Sequence, residues 1–337
     1  MSLKGEACMN SFISSRLIQR LVAALVGFGL TACSSMSGGT VPTATMRLTT
    51  VPTATVKAQP TVLPTSISDL DRSSFTGRIV FSSGPHPHQD IYVINADGSD
   101  LTQLTNDPAA DYDPSWSPDG TRIAFRSRRD GNDEIYVMNA DGSGQTNLTN
   151  HPAMDLSPAW SPDSTQIAFA SGREQGGAST LWVMNADGSE PRRIGDMTGE
   201  YPAWSPDGVQ LAFDHQTFSE TAFDIWVVNV DGSGAKELAG GPTSQQGPAW
   251  SPDGTQIAFE SELEAESHFN HIWLMNADGS GQRRLSQGYG ERPAWSPDGR
   301  YILFTASELY VIRADGSEVM RLPVGGLGEL GFPDWTK

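Results

Sequence analysis

Acidic and aromatic side chains recur at one kind of position in this sequence, a few residues ahead of a tryptophan that opens a Trp-Ser-Pro-Asp motif. Carboxylates that converge on one place repel each other unless a cation neutralises them. Such a group suits a divalent cation, with Ca²⁺ the best match to oxygen ligands, or the basic side chains of a partner. An acidic, water-filled rim without a ligand explains the same residues. The candidate binding residues are Asp111, Tyr112, Asp113, Asp155, Glu200, Tyr201, Glu291 and Arg292.

Catalytic patterns are scarce in this chain. It contains no Gly-x-Ser-x-Gly, no His-Glu-x-x-His and no phosphate-binding glycine loop. The segment 130–134 (Asp-Gly-Asn-Asp-Glu) has part of a calcium-loop pattern but lacks its twelve-residue length, so a hairpin turn explains it better. We therefore expect no catalytic residues, and keep a metal-dependent hydrolase or lyase, or a glycan or small-ligand binder, as alternatives.

The elements that must position these residues are sequence repeats. Trp-Ser-Pro-Asp occurs at 116–119, 160–163, 204–207, 250–253 and 295–298, at spacings of 44, 44, 46 and 45 residues. An Asp-Gly-Ser motif alternates with it, and short apolar runs with β-propensity lie between the two. A period of this length with four short strands per unit is typical of propeller blades.

The repeated residues have turn and packing roles. Proline, Asp and Gly in Ser-Pro-Asp-Gly suit successive turn positions, and the glycine of Asn-Ala-Asp-Gly supplies the positive φ of a tight hairpin. Both turns are expected on one face of the propeller, with variable loops on the other, where function is expected. We expect each motif tryptophan to end the innermost strand of its blade and to pack between blades.

The two ends of the repeat region predict how the ring closes. The first unit starts at 77–81 with a second strand and lacks its own first strand, whereas 332–335 (Phe-Pro-Asp-Trp) matches the missing one. We therefore predict an all-β fold: a six-bladed β-propeller of four-stranded blades, the first blade being completed by the C-terminal strand. This arrangement removes exposed strand edges.

The repeat resembles that of the TolB-type propellers. The resemblance rests on Pro-Ala-Trp-Ser-Pro-Asp-Gly-x-x-Ile-Ala-Phe followed by Ile-Tyr-Val-Met-Asn-Ala-Asp-Gly, and it covers 75–337. It implies a propeller that binds other proteins outside the cytoplasm. The chain differs from TolB itself, which carries an N-terminal α/β domain and is soluble in the periplasm.

Residues 1–32 are predicted to be a lipoprotein signal peptide. Positive charge precedes an apolar run at 21–30 that is too short to span a bilayer. Leu-Thr-Ala-Cys at 30–33 resembles the bacterial lipobox, which implies lipidation of Cys33; an ordinary signal peptide followed by a chance cysteine is the alternative. Either Met1 or Met9 could be the start.

Residues 33–66 are predicted to be a disordered stalk, and 67–337 the propeller. From 34 to 66 the chain has no aromatic and no acidic residue, and is rich in Thr and Pro, so it cannot bury enough apolar surface to fold. The whole chain has a net charge of −18. The predicted signal peptide and the predicted stalk each carry +2, so residues 67–337 carry −22. This acidity excludes nucleic acid as a partner, since phosphates require cations.

Together these features predict an anchored lipoprotein of the cell envelope, periplasmic or at the cell surface. We expect a monomer that is held to the membrane by lipid. Its propeller is expected to bind an envelope or extracellular protein without catalysis.

Overall fold

The structure is a computed structural model that describes residues 75–85, 87–174, 178–216, 222–262 and 270–337. The predicted signal peptide, Cys33, the predicted stalk and residues 67–74 lie outside these residues. All regular structure in the described residues is β-strand, and no helix among them is long and apolar enough to cross a membrane.

Twenty-four strands follow one another in the described part of the chain. In the first half they are β1 Arg78–Gly84, β2 Asp90–Asn95, β3 Thr102–Gln103, β4 Asp111–Trp116, β5 Arg122–Ser127, β6 Glu134–Asn139, β7 Thr146–Asn147, β8 Asp155–Trp160, β9 Gln166–Ser171, β10 Thr180–Asn185, β11 Arg192–Thr198 and β12 Glu200–Trp204. In the second half they are β13 Gln210–Gln216, β14 Phe223–Asn229, β15 Lys236–Ala239, β16 Gln245–Trp250, β17 Gln256–Ser261, β18 His271–Asn276, β19 Arg283–Arg284, β20 Glu291–Trp295, β21 Tyr301–Thr305, β22 Leu309–Arg313, β23 Val319–Leu322 and β24 Glu329–Thr336.

The strands form six antiparallel sheets of four, and each sheet is one blade. Blade 1 has the order β24-β1-β2-β3, and blades 2 to 6 are built from consecutive strands, beginning with β4, β8, β12, β16 and β20. The innermost strands contact their neighbours in turn, and β20 of blade 6 contacts β24 of blade 1. The predicted six-bladed all-β propeller, with its first blade completed by the C-terminal strand, is therefore confirmed.

The closing strand β24 is held by more than its ladder with β1. Trp335 packs with Phe75 and Ile79 of blade 1 and with Leu303 of blade 6, and its Nε1 donates to the carbonyl oxygen of Thr76 at 3.0 Å. The carboxylate of the half-buried Asp334 accepts a hydrogen bond from the backbone N–H of Trp116 in blade 2 at 2.7 Å. The C-terminal strand thus joins three blades.

Apolar side chains fill the spaces between blades. One phenylalanine from the second strand of each blade is fully buried; the six are Phe81, Phe125, Phe169, Phe213, Phe259 and Phe304. Trp116, at the end of β4, lies in a cluster with Val80 and Ile91 of blade 1 and with Ile123 of its own blade. The predicted packing of these tryptophans between blades is confirmed in that cluster.

The two faces of the propeller differ in regularity. On one, the turn face, all five connections from a motif tryptophan to the next strand have five residues, and five of the six turns between third and fourth strands have six. On the other, the loop face, the connections between second and third strands range from three residues at 306–308 to nine at 262–270. The turn face therefore has a structural role, and the variation between blades is concentrated on the loop face.

The turn face tolerates little change because its turns touch the preceding blade. Gly279 has a φ of +91°, and a Cβ placed on it would lie 2.5 Å from the carbonyl oxygen of Leu238. Both the left-handed backbone and the close approach require glycine at this position.

Candidate functional site

One residue of each innermost strand faces the central channel with an unusual backbone. It stands directly before the proline of that strand, has a φ between +49° and +62°, and lies where the strand's pairing with its neighbour shifts in register. Left-handed backbone costs a non-glycine residue about 1 kcal/mol, so the fold must impose it. The six residues line a channel cavity of about 340 Å³, and they are Asp113, Ser157, Tyr201, Gly247, Arg292 and Phe332.

Arg292 contacts two other members of this ring of six. Its guanidinium carbon lies 4.2 Å from the ring centroids of both Tyr201 and Phe332, and its Nη2 donates to the hydroxyl of Tyr201 at 3.3 Å. Burial by itself lowers the pKa of Arg292, but the nearby oxygen-bearing groups, Tyr201 and Glu260 first among them, raise it overall, so the cation persists. Cation–π contacts therefore hold a permanent positive charge inside the channel.

A second arginine supports the other side of the channel. Nη1 of Arg126 lies 3.4 Å from Oδ2 of Asp113, and its Nε lies 3.4 Å from Oδ1 of Asp133. The guanidinium also lies over the ring of Tyr112, with its carbon 4.5 Å from the centroid. Burial lowers the pKa of Arg126, and the two carboxylates more than offset it, so this side chain is also a fixed cation.

Two of the predicted carboxylates lie inside their own blades. Asp111 and Asp155 are fully buried, and each pairs with an arginine eighteen residues later, Arg129 at 2.9 Å and Arg173 at 2.8 Å. Burial raises the pKa of Asp111, against the opposing effect of Ser127 and Arg129. Because removing one partner of such a buried pair costs about 3–5 kcal/mol, these two residues have a structural role whatever else they do.

Two of the three remaining predicted residues lie at the loop-face mouth of the channel. Glu200 and Glu291 are half-buried at the starts of β12 and β20, and Oε1 of Glu291 accepts a hydrogen bond from Nδ2 of Asn270 at 3.1 Å. Tyr112 is buried beneath Arg126. The structure thus brings Asp113, Tyr201 and Arg292 together in the channel and leaves Glu200 and Glu291 at its rim.

Two buried carboxylates beside this site were missed by the sequence analysis. Oδ1 of Asp214 accepts from the N–H of Gly247 at 2.8 Å, and Oε2 of Glu260 accepts from the N–H of Arg292 at 2.9 Å. Each ties the left-handed residue of one blade to the second strand of the preceding blade. Both follow the recurrent buried phenylalanine directly, as Arg126 does, so aligning the repeats at that phenylalanine would have found them.

The predicted residues include carboxylates that suit Ca²⁺. Within the described residues, no group of three or more His, Cys, Asp or Glu side chains is placed to hold a metal ion. The charges next to the channel carboxylates are instead arginines of the chain itself.

Two known protein families match the propeller region of this chain. Residues 75–223 match the family described as the Tricorn protease N-terminal beta propeller domain, and residues 197–336 match the TolB beta propeller domain. The domain is a TolB-like six-bladed propeller. No protein with a curated description matches the chain.

Solved structures are similar to this TolB-like propeller at low sequence identity. TolB from Acinetobacter baumannii has a TM-score of 0.68 and 20% identity, over 78% of this chain and 67% of that one. A protein assigned as TolB from Agrobacterium tumefaciens has a TM-score of 0.61 and 21% identity, over 74% and 89%. A chain of a nidogen/laminin complex has a TM-score of 0.59 and 12% identity, over 77% and 97%. These likenesses establish the fold.

Proposed function

We propose that this TolB-like propeller is a non-catalytic, monomeric protein-binding module whose loop face contacts another protein of the envelope or the extracellular space. The observation that carries the proposal is the contrast between the two faces. The turn face repeats the same turns, whereas the loop face varies in length from blade to blade and surrounds an acidic channel mouth. Variable loops on a rigid scaffold are a common basis for recognition.

The rim carboxylates are the proposed contact residues. Glu200 and Glu291 are partly accessible, in contrast to the fully buried Asp111 and Asp155, so they can meet a partner without unfolding a blade. Their charge favours a basic patch on that partner, and charge complementarity of this kind contributes to specificity and to association rate. Known proteins give this idea general support, since a propeller of similar fold occurs in the nidogen/laminin complex.

We further propose that the module is anchored to a membrane through a lipid on Cys33. The proposal rests on the short apolar run and the lipobox-like residues 30–33. Replacing Cys33 with Ser should move the protein from the membrane fraction to the soluble fraction of the cell, and should abolish incorporation of labelled fatty acid. A Cys33→Ser protein that stays in the membrane fraction would contradict the lipid anchor.

The binding proposal is tested by crosslinking capture from the native envelope with the full chain as bait. The double variant Glu200→Gln/Glu291→Gln should recover about two- to tenfold less of a specific partner, because two rim charges contribute about 0.5–1.4 kcal/mol. Both changes keep the size of the side chain, so the melting temperature should not change.

A matched control comes from the turn face. Glu190 and Glu318 are glutamates of turns on that face, and Glu190→Gln/Glu318→Gln removes the same charge there. Equal loss of the partner with both double variants would contradict the loop face as the site. Recovery of no partner by the folded bait, with a stoichiometric bound metal and turnover that is lost on chelation, would replace the proposal with a metal-dependent hydrolase or lyase.

A further inference from the structure

Three charged residues line the channel cavity, and two of them, which have opposite charge, do not pair with each other. Asp113 and Arg292 both line it, and its volume of about 340 Å³ is within the usual range of small-ligand sites. Asp113 is among the charges that act on Arg292, yet no ion pair joins the two in the described part of the chain. A gap between a fixed anion and a fixed cation is thus built into the channel wall.

The carboxylate of Asp113 is poorly satisfied. The residue is only 4% exposed, and neither of its oxygens accepts a hydrogen bond from a described residue. Its ion pair with Arg126 measures 3.4 Å, whereas charge-assisted hydrogen bonds are about 2.7–2.9 Å long. Since Arg126 also pairs with Asp133, the carboxylate of Asp113 has acceptor capacity to spare in a place where unmet capacity is costly.

The guanidinium of Arg292 has an unused hydrogen-bond donor. Tyr201 takes one hydrogen bond from Nη2, and the rings of Tyr201 and Phe332 fix the position of the guanidinium. Its Nη1 is buried and has no hydrogen-bond partner among the described residues. Donor geometry of this type suits a carboxylate.

We propose that the channel cavity binds a small zwitterion, namely a free α-amino acid, with its ammonium group at Asp113 and its carboxylate at Arg292. The hydroxyl of Ser157 occupies the equivalent position on the blade next to Asp113, and it supplies a second acceptor for the ammonium. The prolines that follow the ring residues, and the alanines that follow four of these prolines, give part of the wall an apolar surface for the ligand's side chain. In the other two blades Ser115 and Asp334 take the place of alanine, and the carboxylate of Asp334 already accepts hydrogen bonds from the N–H groups of Trp116 and Trp335. This site is separate from the rim carboxylates that are proposed to contact a protein partner.

The test is isothermal titration of the purified full chain with L-alanine and with the two molecules that each lack one of its charges. Ethylamine lacks the carboxylate, and propionate lacks the ammonium. L-Alanine should bind saturably with a Kd of about 1 mM or tighter, and the other two should bind at least tenfold more weakly. Asp113→Asn should lower the affinity for L-alanine at least tenfold, and Ser157→Ala severalfold.

Controls keep the outcome clear. Asp196→Asn removes a fully exposed carboxylate and should leave the affinity unchanged. If Asp113→Asn fails to fold, Ser157→Ala carries the test. The proposal is overturned if L-alanine does not bind, if ethylamine or propionate binds as tightly as L-alanine, or if the folded channel variants bind like the wild type.

Discussion

At the scale of single residues, the same side-chain type has different roles at two nearby positions of one strand. In β4, Asp111 points into its blade and pairs with Arg129, whereas Asp113, two residues on, lines the channel. Strict alternation would place both on one face, but the bulge before the proline intervenes. The left-handed residue at this bulge aims one side chain per blade at the axis, and that geometry makes the channel a chemical site.

Asp214 provides a residue-scale test through pH. It is fully buried, and burial raises its pKa well above the usual value, against the opposing attraction of Arg292. The pKa of Asp214 is higher in the folded state than in the unfolded state. At a pH between these two pKa values, the folded state keeps a proton that the unfolded chain has lost. The carboxyl therefore makes wild-type stability fall as pH rises from about 4 to the folded pKa, by about 1.4 kcal/mol for each unit of the rise in pKa.

Asp214→Asn removes this titration and keeps an oxygen for the N–H of Gly247. Its free energy of unfolding, measured with urea from pH 4 upward, should therefore increase relative to that of the wild type as pH rises. Asp231 gives a control of opposite sign at lower pH, because its hydrogen bonds with Ser233 lower its pKa. Asp231→Asn should lose stability relative to the wild type as pH rises toward about 4, and the difference should stay constant at higher pH. A difference between Asp214→Asn and the wild type that does not change with pH would contradict the raised pKa.

At the scale of elements, β24 is the component on which the ring depends. It supplies the innermost strand of blade 1, and its tryptophan and aspartate reach into blades 6 and 2. Without it, β1 would expose an unpaired edge and the cluster around Ile79 would lose its cover.

A chain that lacks residues 329–337 should therefore lose cooperative unfolding and should aggregate. Adding a synthetic peptide of those nine residues in excess should restore the soluble fold, because the peptide supplies the missing ladder and the side chain of Trp335. A scrambled peptide of the same composition is the control, and size-exclusion chromatography with thermal unfolding is the measurement. A truncated chain with the melting temperature of the intact protein would refute this role for β24.

At the scale of the whole molecule, the repeats allowed the architecture to be predicted from sequence. The five copies of Trp-Ser-Pro-Asp and the unmatched strand at 332–335 together predicted six blades, and the unmatched strand also predicted the mode of closure. Both depend on local turn chemistry and periodicity, which are properties of short segments. The separation of the two faces follows from the alternation of strand direction and needed no further information.

The site was only partly predictable because its contacts join residues that lie far apart in the sequence. The sequence places the candidate residues on the right strands, but the neutralisation of Asp111 and Asp155 by Arg129 and Arg173 depends on pairing across a blade. The contacts of Arg292 with the rings of Tyr201 and Phe332 bring together blades 4, 6 and 1, which no local pattern encodes. Long-range side-chain geometry was therefore the part that needed the structure.

Closure by β24 also leaves blade 1 incomplete until the end of the chain is available. Ile79 pairs with Trp335, so the first strand made waits for more than two hundred further residues before its inner neighbour exists. Five blades can form as the chain emerges, but blade 1 cannot, and its open edge is a target for other nascent chains during that time. The time between the appearance of β1 and that of β24 thus sets how long the molecule is exposed to misassembly, a risk that the finished ring no longer carries.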